Sequence, residues 1–324
     1  MYRRHLPGLV AGLLVLAAAL PAAAQDDWPK RPVHVILPAG PGGTSDTLMR
    51  ILSERLTRSL GQPIVLDHKP GAGGTLAATA VAQAEPDGYT LMMNSVATHA
   101  IGPSMYKLKF DPEKNVTGIA HVAFSSNVLY VRKDAPFRSV AELIAFARAN
   151  PKKLNYASSG SGTSVHLSAV QFGLTAGIDA VHIPYTGAAP ALQAVLAGDA
   201  AFSFENLLAM MGQIRGGTVT PLAVTTSVRS PQLPELPTIA ESGLPGFNSS
   251  TWFGIVGPGG LPRPIVDKLA AALKSALDDP QVSELVRKLG AEPQFMAPRA
   301  FDDFMKSERV KWDATVKASG AKVG

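Results

Sequence analysis

The chain has 324 residues, with 30 Lys and Arg against 25 acids and no cysteine. Without cysteine there is no disulfide, no thiolate chemistry and no thiol to carry a lipid anchor. The small basic excess is scattered and lacks the basic stripe with interleaved aromatics that nucleic-acid binding requires, so no nucleic-acid partner is expected.

Residues 1–24 read as a secretory signal: Arg3, Arg4 and His5, then the apolar run Leu9 to Leu20, then Ala22-Ala23-Ala24. The apolar run is shorter than the roughly 20 residues of a membrane span, and no later segment is long enough either. The expected product starts at Gln25, is soluble outside the cytoplasm, and carries a net charge of +3 rather than +5, since Arg3 and Arg4 leave with the signal. Some 300 residues suit two domains of ordinary size.

Val33 to Leu37 alternates like a short, largely buried strand. Gly40-Pro41-Gly42-Gly43 then makes a turn, and Thr44, Ser45 and Asp46 are residue types that cap a helix start. Leu48, Leu52, Leu56 and Leu60 recur every fourth residue as one apolar helix face, closed by Gly61. Strand, glycine turn and helix start together aim free N–H donors and a positive dipole end at one point, which suits a carboxylate or phosphate. The same pattern also serves as a plain strand-to-helix connection. Asp46 is read as structural, bonding N–H groups rather than facing an anion.

Ile64 to Leu66 is a second strand, and Gly71-Ala72-Gly73-Gly74 a second glycine turn before the helix Thr75 to Ala84. Leu76 breaks the dinucleotide fingerprint there. Tyr89 to Met93 is a strand ending on Asn94-Ser95, where open α/β sheets place ligands. His121 to Ala123 and Val128 to Val131 read as two strands. Ser139 and Glu142 form a capping box for a helix through Ala149. Leu154 to Ala157 then runs as a strand into Ser158-Ser159-Gly160-Ser161-Gly162-Thr163 and the helix Ser164 to Ala176. This repeats the plan of the opening stretch about 115 residues later, which suggests two lobes facing one ligand.

The strand Ala180 to Ile183, the helix Pro190 to Ala197 and the strand Ala200 to Phe204, ending on Glu205-Asn206, come next. Leu222 to Thr225 and Thr251 to Val256 read as strands and Ile239 to Ser242 as a short helix. The tail is helical at Ile265 to Leu277, Gln281 to Leu289 and Ala300 to Lys317. Such alternation implies an α/β fold with parallel sheets and crossover helices.

Enzyme signatures are missing: no Gly-x-Ser-x-Gly, no His-Glu-x-x-His, no Walker Gly-Lys-Ser/Thr. The seven histidines show no metal-ligand spacing. No catalytic residues, metal or cofactor are expected. A Ser-His-acid triad assembled in three dimensions, as in an extracytoplasmic hydrolase, stays as the second reading.

The runs Gly71-Ala-Gly-Gly and Pro86-Asp-Gly-Tyr-Thr-Leu91 resemble those of the solute-binding proteins of tripartite tricarboxylate transporters, the Bug family. Pro41-Gly-Gly-x-x-Asp46, Leu60-Gly-Gln-Pro63, Tyr156-Ala-Ser-x-Gly160, His182-Ile-Pro-Tyr185, Leu222-Ala-Val-Thr225 and Lys311-Trp312 match in the same order along nearly the whole chain. The resemblance implies a two-lobed type II periplasmic solute-binding fold, each lobe a mostly parallel sheet flanked by helices. It implies closure on a small organic carboxylate, delivered by a periplasmic monomer to the transporter's membrane subunits; signalling to a membrane sensor kinase is the variant reading. With the Pro245-Gly246 passage as a hinge, lobe one is expected at 25–125 plus 250–324 and lobe two at 126–249.

Carried over residue by residue, the resemblance makes Gly42, Gly43, Thr44 and Ser45 first-lobe contacts and Ser158, Ser159, Ser161 and Thr163 second-lobe contacts. Asn94, Ser95, Tyr185, Glu205 and Asn206 join the candidates from their places at strand ends and the cleft edge, with Glu205 suited to an amine or a hinge bond. Thr186 stands where the family usually has lysine, and Ala201 where it has an acid; both bear on the far end of the ligand.

Overall fold

A computed structural model describes residues 28–151 and 153–319; the expected signal segment lies outside them. The period-two strand pattern is realised in β1 (Val33–Leu37), which turns Val33, Val35 and Leu37 to one face and Ile36 to the other. Parallel partners flank it: β2 (Ile64–His68) on one side and β3 (Thr90–Ser95) on the other. Both connections cross over through helices, α1 (Thr44–Leu60) and α2 (Thr75–Ala82).

β9 (Ser250–Pro258) extends this sheet antiparallel to β3, and β4 (Val116–Arg132) runs antiparallel to β9. β4 is a single strand of 17 residues where the sequence reads as two, because Ser125, Ser126 and Asn127 interrupt its apolar pattern. All three are buried, and the polar side chains of Ser125 and Asn127 find partners. Asn127 N–H donates to Thr225 Oγ1, its Nδ2 to Ser168 Oγ, and its Oδ1 accepts from Asn206 Nδ2.

Beyond Asn127, β4 changes partners. It pairs antiparallel with β7 (Phe202–Asn206) and β8 (Val219–Val224), while β5 (Asn155–Ser158) lies parallel to β7 and to the edge strand β6 (Val181–Pro184). The order along the sheet is β2-β1-β3-β9-β4-β7-β5-β6. Parallel pairing, with its crossover helices, therefore holds at the two ends, and antiparallel pairing joins them through β4.

Both faces of each end are covered. On one side, α1 and α8 (Arg263–Asp278) bury Leu48, Leu52, Leu56, Leu269 and Leu273 against Val33, Val35 and Leu37. Each such side chain stabilises by about 1.5–3 kcal/mol. On the opposite face, α2 and α10 (Pro298–Ser319) pack Val81, Phe301 and Trp312 over Ile36, Met92 and Trp252. Buried Glu308 accepts both indole N–H groups, from Trp252 at 3.0 Å and Trp312 at 3.1 Å, which fixes α10 on the sheet.

At the other end of the sheet, α4 (Val140–Ala149) and α5 (Ser164–Ala176) cover Leu129, Val131, Tyr156, Phe202 and Phe204. There α6 (Ala188–Ala197) and α7 (Leu207–Arg215) cover Val128, Tyr130 and Ala157.

Several elements differ from the sequence reading. Ile239 to Ser242 is one turn rather than a helix; Thr238 and Glu241 cap each other reciprocally, and Gly243 and Pro245 end it at once. α7 and β10 (Ala291–Met296) escape the periodicity, the first because Gly212 interrupts it, the second because Pro293 sits inside a strand paired only to β4. Ala97–Ile101 is a π-helical turn continued by the one-turn helix α3 (Gly102–Met105). Finally, the N-cap of α1 is Gly43 with no side-chain cap, so Thr44, Ser45 and Asp46 lie inside the helix rather than before it.

Candidate ligand-binding cleft

The loops at the C-terminal ends of the parallel strands meet in a cleft of about 730 Å3. Its wall includes the turn after β1 from Pro38 to Ser45, the turn after β2 from Pro70 to Gly74, Ser95 at the end of β3, and Ala97 and Thr98 beyond it. The opposite wall includes residues of the turn after β5 from Ser159 to Val165, Pro184 at the end of β6 and Tyr185 to Pro190 beyond it, and Glu205 and Asn206 of β7, with Thr251 and Phe253 of β9 also lining it. The first turns of α1, α5 and α6 and the N-cap of α2 therefore open onto one space. Each brings N–H groups without intrahelical acceptors and a partial positive charge of the helix dipole. No Lys, Arg or His lines the cleft among the described residues; Glu205 is its one acid.

Ser45 is the informative residue of the first turn. It is 3 % exposed, lines the cleft, and its Oγ has no hydrogen-bond partner. An unmet buried hydroxyl costs about 1–3 kcal/mol, so one in the first turn of a helix that lines the cleft is a candidate donor to a ligand atom. Asp46, one residue on, is fully engaged. Its Oδ2 accepts from the Gly42 N–H at 2.9 Å and from Arg50 Nε at 3.0 Å, and its Oδ1 meets His68 Nε2 at 2.9 Å. Burial raises its pKa, but the bonds from Arg50, Gly42 and His68 outweigh this and hold the carboxyl below the usual range. Asp46 is thus structural, and it occupies the Gly42 N–H. Gly43 N–H in turn reaches Gly40 O at 3.3 Å. Gly42 and Gly43 shape the wall, while the donors left at this turn belong to Thr44 and Ser45.

The second turn has partners for its Gly160 and Gly162 amides and for its Thr163 cap hydroxyl. Thr163 Oγ1 accepts from His166 N–H and donates to Gly160 O at 2.7 Å. Gly162 N–H donates to His166 Nδ1, and Gly160 N–H to Ser158 Oγ. Ser158 Oγ also lies 2.7 Å from His182 Nε2, and the two imidazoles stack with centroids 4.1 Å apart. Burial pushes His166 down to about 3 and His182 to about 4, so both are neutral and His166 keeps Nδ1 as an acceptor.

Two sequence candidates therefore stand behind the wall rather than in it. Ser158 is fully buried on His182, and Asn94 is tied to Thr98 Oγ1 and Met305 Sδ. The structure brings Gly42, Gly43, Thr44, Ser45, Ser95, Ser159, Ser161, Thr163, Tyr185, Glu205 and Asn206 together around the cleft. Glu205 is 5 % exposed; its Oε1 accepts from Asn206 N–H at 2.9 Å. Burial pushes it up to about 7 against the pull of bonds from Asn206 and Ser159.

Sequence reading did not place Gly73, Tyr106, Thr251, Phe253 or the start of α6 at the site. Only the Gly71–Gly74 turn carried a signal, since it repeats the strand–glycine–helix plan. Tyr106 Oη donates to Ser161 O at 2.7 Å, joining the two walls across the cleft. A Cβ on Gly73 would lie 3.1 Å from Tyr106 Cε2 and 3.2 Å from Ser161 O, so glycine permits this approach.

The architecture has solved counterparts. The structure of Rpa4515 from R. palustris, determined with adipate, matches at a TM-score of 0.88 and 35 % identity, covering 91 % of this chain and 100 % of that one. MatC from Rhodopseudomonas palustris, with bound malate, matches at 0.84 and 34 %, covering 89 % and 100 %. The fold and cleft are those of a two-lobed, type II periplasmic solute-binding protein. Residues 48–321 match the family model of the tripartite tricarboxylate transporter family receptor, and the chain belongs to that family. Protein BugT of Bordetella pertussis is 33 % identical over 317 residues, 97 % of each chain.

Proposed function

We propose that this protein is the receptor of a tripartite tricarboxylate transporter, capturing a small organic carboxylate in the cleft and presenting it to the membrane subunits. The observation that carries the reading is Ser45, a buried and unpartnered hydroxyl at the start of α1 inside the cleft. With the Thr44 and Ser45 N–H groups it offers three donors at one helix start to a carboxylate. The N-termini of α5 and α6 add positive potential from the other side. Charge-assisted bonds of about 1.5–3 kcal/mol each, less the ordering costs, support roughly micromolar affinity. The adipate and malate held by the two solved relatives point to the same chemistry.

The lobes we assign are 25–125 with 250–324, and 126–249. In support, β4 changes sheet partners at Asn127 and β9 begins opposite it, with Ser126 paired to Ser250. Closure brings the two glycine turns together and excludes water, which strengthens every polar contact between them. The reading includes export behind the signal at 1–24, a monomeric periplasmic product, and no turnover. Ser158 and His182 form the one serine–imidazole bond among the described residues, and Ser158 is buried away from the cleft. The test is a calorimetric screen of mono-, di- and tricarboxylates, led by adipate and malate, with scattering before and after saturation. Saturable binding with compaction is expected; no binding to any organic acid, or binding accompanied by ester hydrolysis, overturns the reading.

A further inference from the structure

We infer that Glu205 makes the second-lobe end of the cleft select a hydrogen-bond donor and reject a second ionised carboxylate, so that the preferred ligand is a monocarboxylate with a hydroxyl, amide or ammonium at its other end. The inference rests on the reading above, in which one carboxylate sits at the start of α1. It begins from what lines the cleft. Donors without side-chain charge surround the space, no cation faces it, and the one ionisable acid on its wall is Glu205.

Glu205 closes β7 and is almost wholly buried, with Oε1 fixed by the Asn206 N–H. Hydrogen bonds from the Asn206 backbone and from Ser159 favour its ionised form. A second ligand carboxylate arriving here meets a like charge in a site from which closure removes water, where the repulsion is strongest. A ligand donor instead gives that carboxylate a partner. Thr186, exposed on the same wall, is neutral and compensates nothing. Burial raises Glu205 to about 7, so the group is largely ionised at pH 8. Its titratable neighbour is Tyr130 of β4, which burial keeps protonated; Ser159 and Asn206 are neutral.

The experiment is calorimetric titration of the mature chain at pH 8 with length-matched series. Succinate is compared with 4-hydroxybutyrate and 4-aminobutyrate, and adipate with 6-hydroxyhexanoate, adipamate and 6-aminohexanoate. Within the series that binds, the donor-ended members are expected to bind about tenfold tighter than the dicarboxylate. Glu205→Gln should close that gap by improving the dicarboxylate. Thr186→Lys, a surface change that spares the core, should narrow it independently by supplying a cation. A parent protein that takes the dicarboxylates at least as tightly overturns the inference while leaving carboxylate capture intact. So does a preference that neither variant alters. Failure of every member of both series to bind overturns this inference, and the carboxylate reading falls with it when the wider screen of organic acids also finds no binding.

Discussion

The two glycine turns share one plan and differ in what they leave open. At the turn before α1 a buried hydroxyl is unpartnered and the helix cap has no side-chain acceptor. At the turn before α5 the cap is Thr163, the Gly160 and Gly162 amides are bonded to Ser158 and His166, and Ser161 O is held by Tyr106. A turn whose polar groups satisfy each other is rigid, whereas one with donors left over is ready for a ligand. In the proposed function the first turn captures the ligand, and the second closes on it as a preformed plate.

The contrast can be broken most strongly through Glu205, which Ser159 of the second turn helps to hold. Its value rises from 4.5 to about 7 on folding, worth about 3 kcal/mol. Between those values the native state keeps a proton that the unfolded chain has lost, so this group makes stability fall as pH rises. Relative to Glu205→Gln, the ligand-free parent should lose up to about 3 kcal/mol between pH 4.5 and pH 8 in denaturant unfolding. The buried histidines cancel in the difference, because both proteins contain them. Parallel stability curves would show that the carboxyl is not buried as described.

Next in size is Gly162→Val. Gly162 has φ +79°, and a Cβ there falls 2.8 Å from Tyr106 Cε2. Backbone strain of about 1–2 kcal/mol is expected in thermal unfolding, together with loss of the Tyr106 contact to Ser161. Ligand affinity should drop by about tenfold or more as the plate no longer seats, measured by titration with the acid found in the screen.

The remaining two substitutions carry opposite signs and sharpen the comparison. Thr163→Ala removes a working cap and should destabilise the protein by about 1 kcal/mol, with little change in affinity. Ser45→Ala removes an unmet hydroxyl and should leave the ligand-free protein equally stable, or more stable by up to about 1 kcal/mol. It should weaken ligand binding by about 0.5–1.5 kcal/mol. If Ser45→Ala destabilises and Thr163→Ala weakens binding, the roles of the two turns are reversed.

Local chemistry by itself determined the building units of this protein. Val33 to Leu37, the four-residue leucine repeat of α1, the capping box at Ser139 and the strand–glycine–helix plan at both turns depend on neighbours within a few residues, and the sequence shows such neighbours directly. It also read Asp46 as structural, although not by the cap it suggested. What it left open depends on residues far apart along the chain. Ser125 to Asn127 look like a break between strands until Ser168, Asn206 and Thr225 arrive to satisfy Asn127. Asn94 and Ser158 look like site residues until Met305 and His182 claim them. Tyr106 carries no local signal at all, since its partner is 55 positions away. Which polar group faces the cleft and which is already bonded is a question of long-range satisfaction, and only the tertiary structure brings those partners within 3 Å or so.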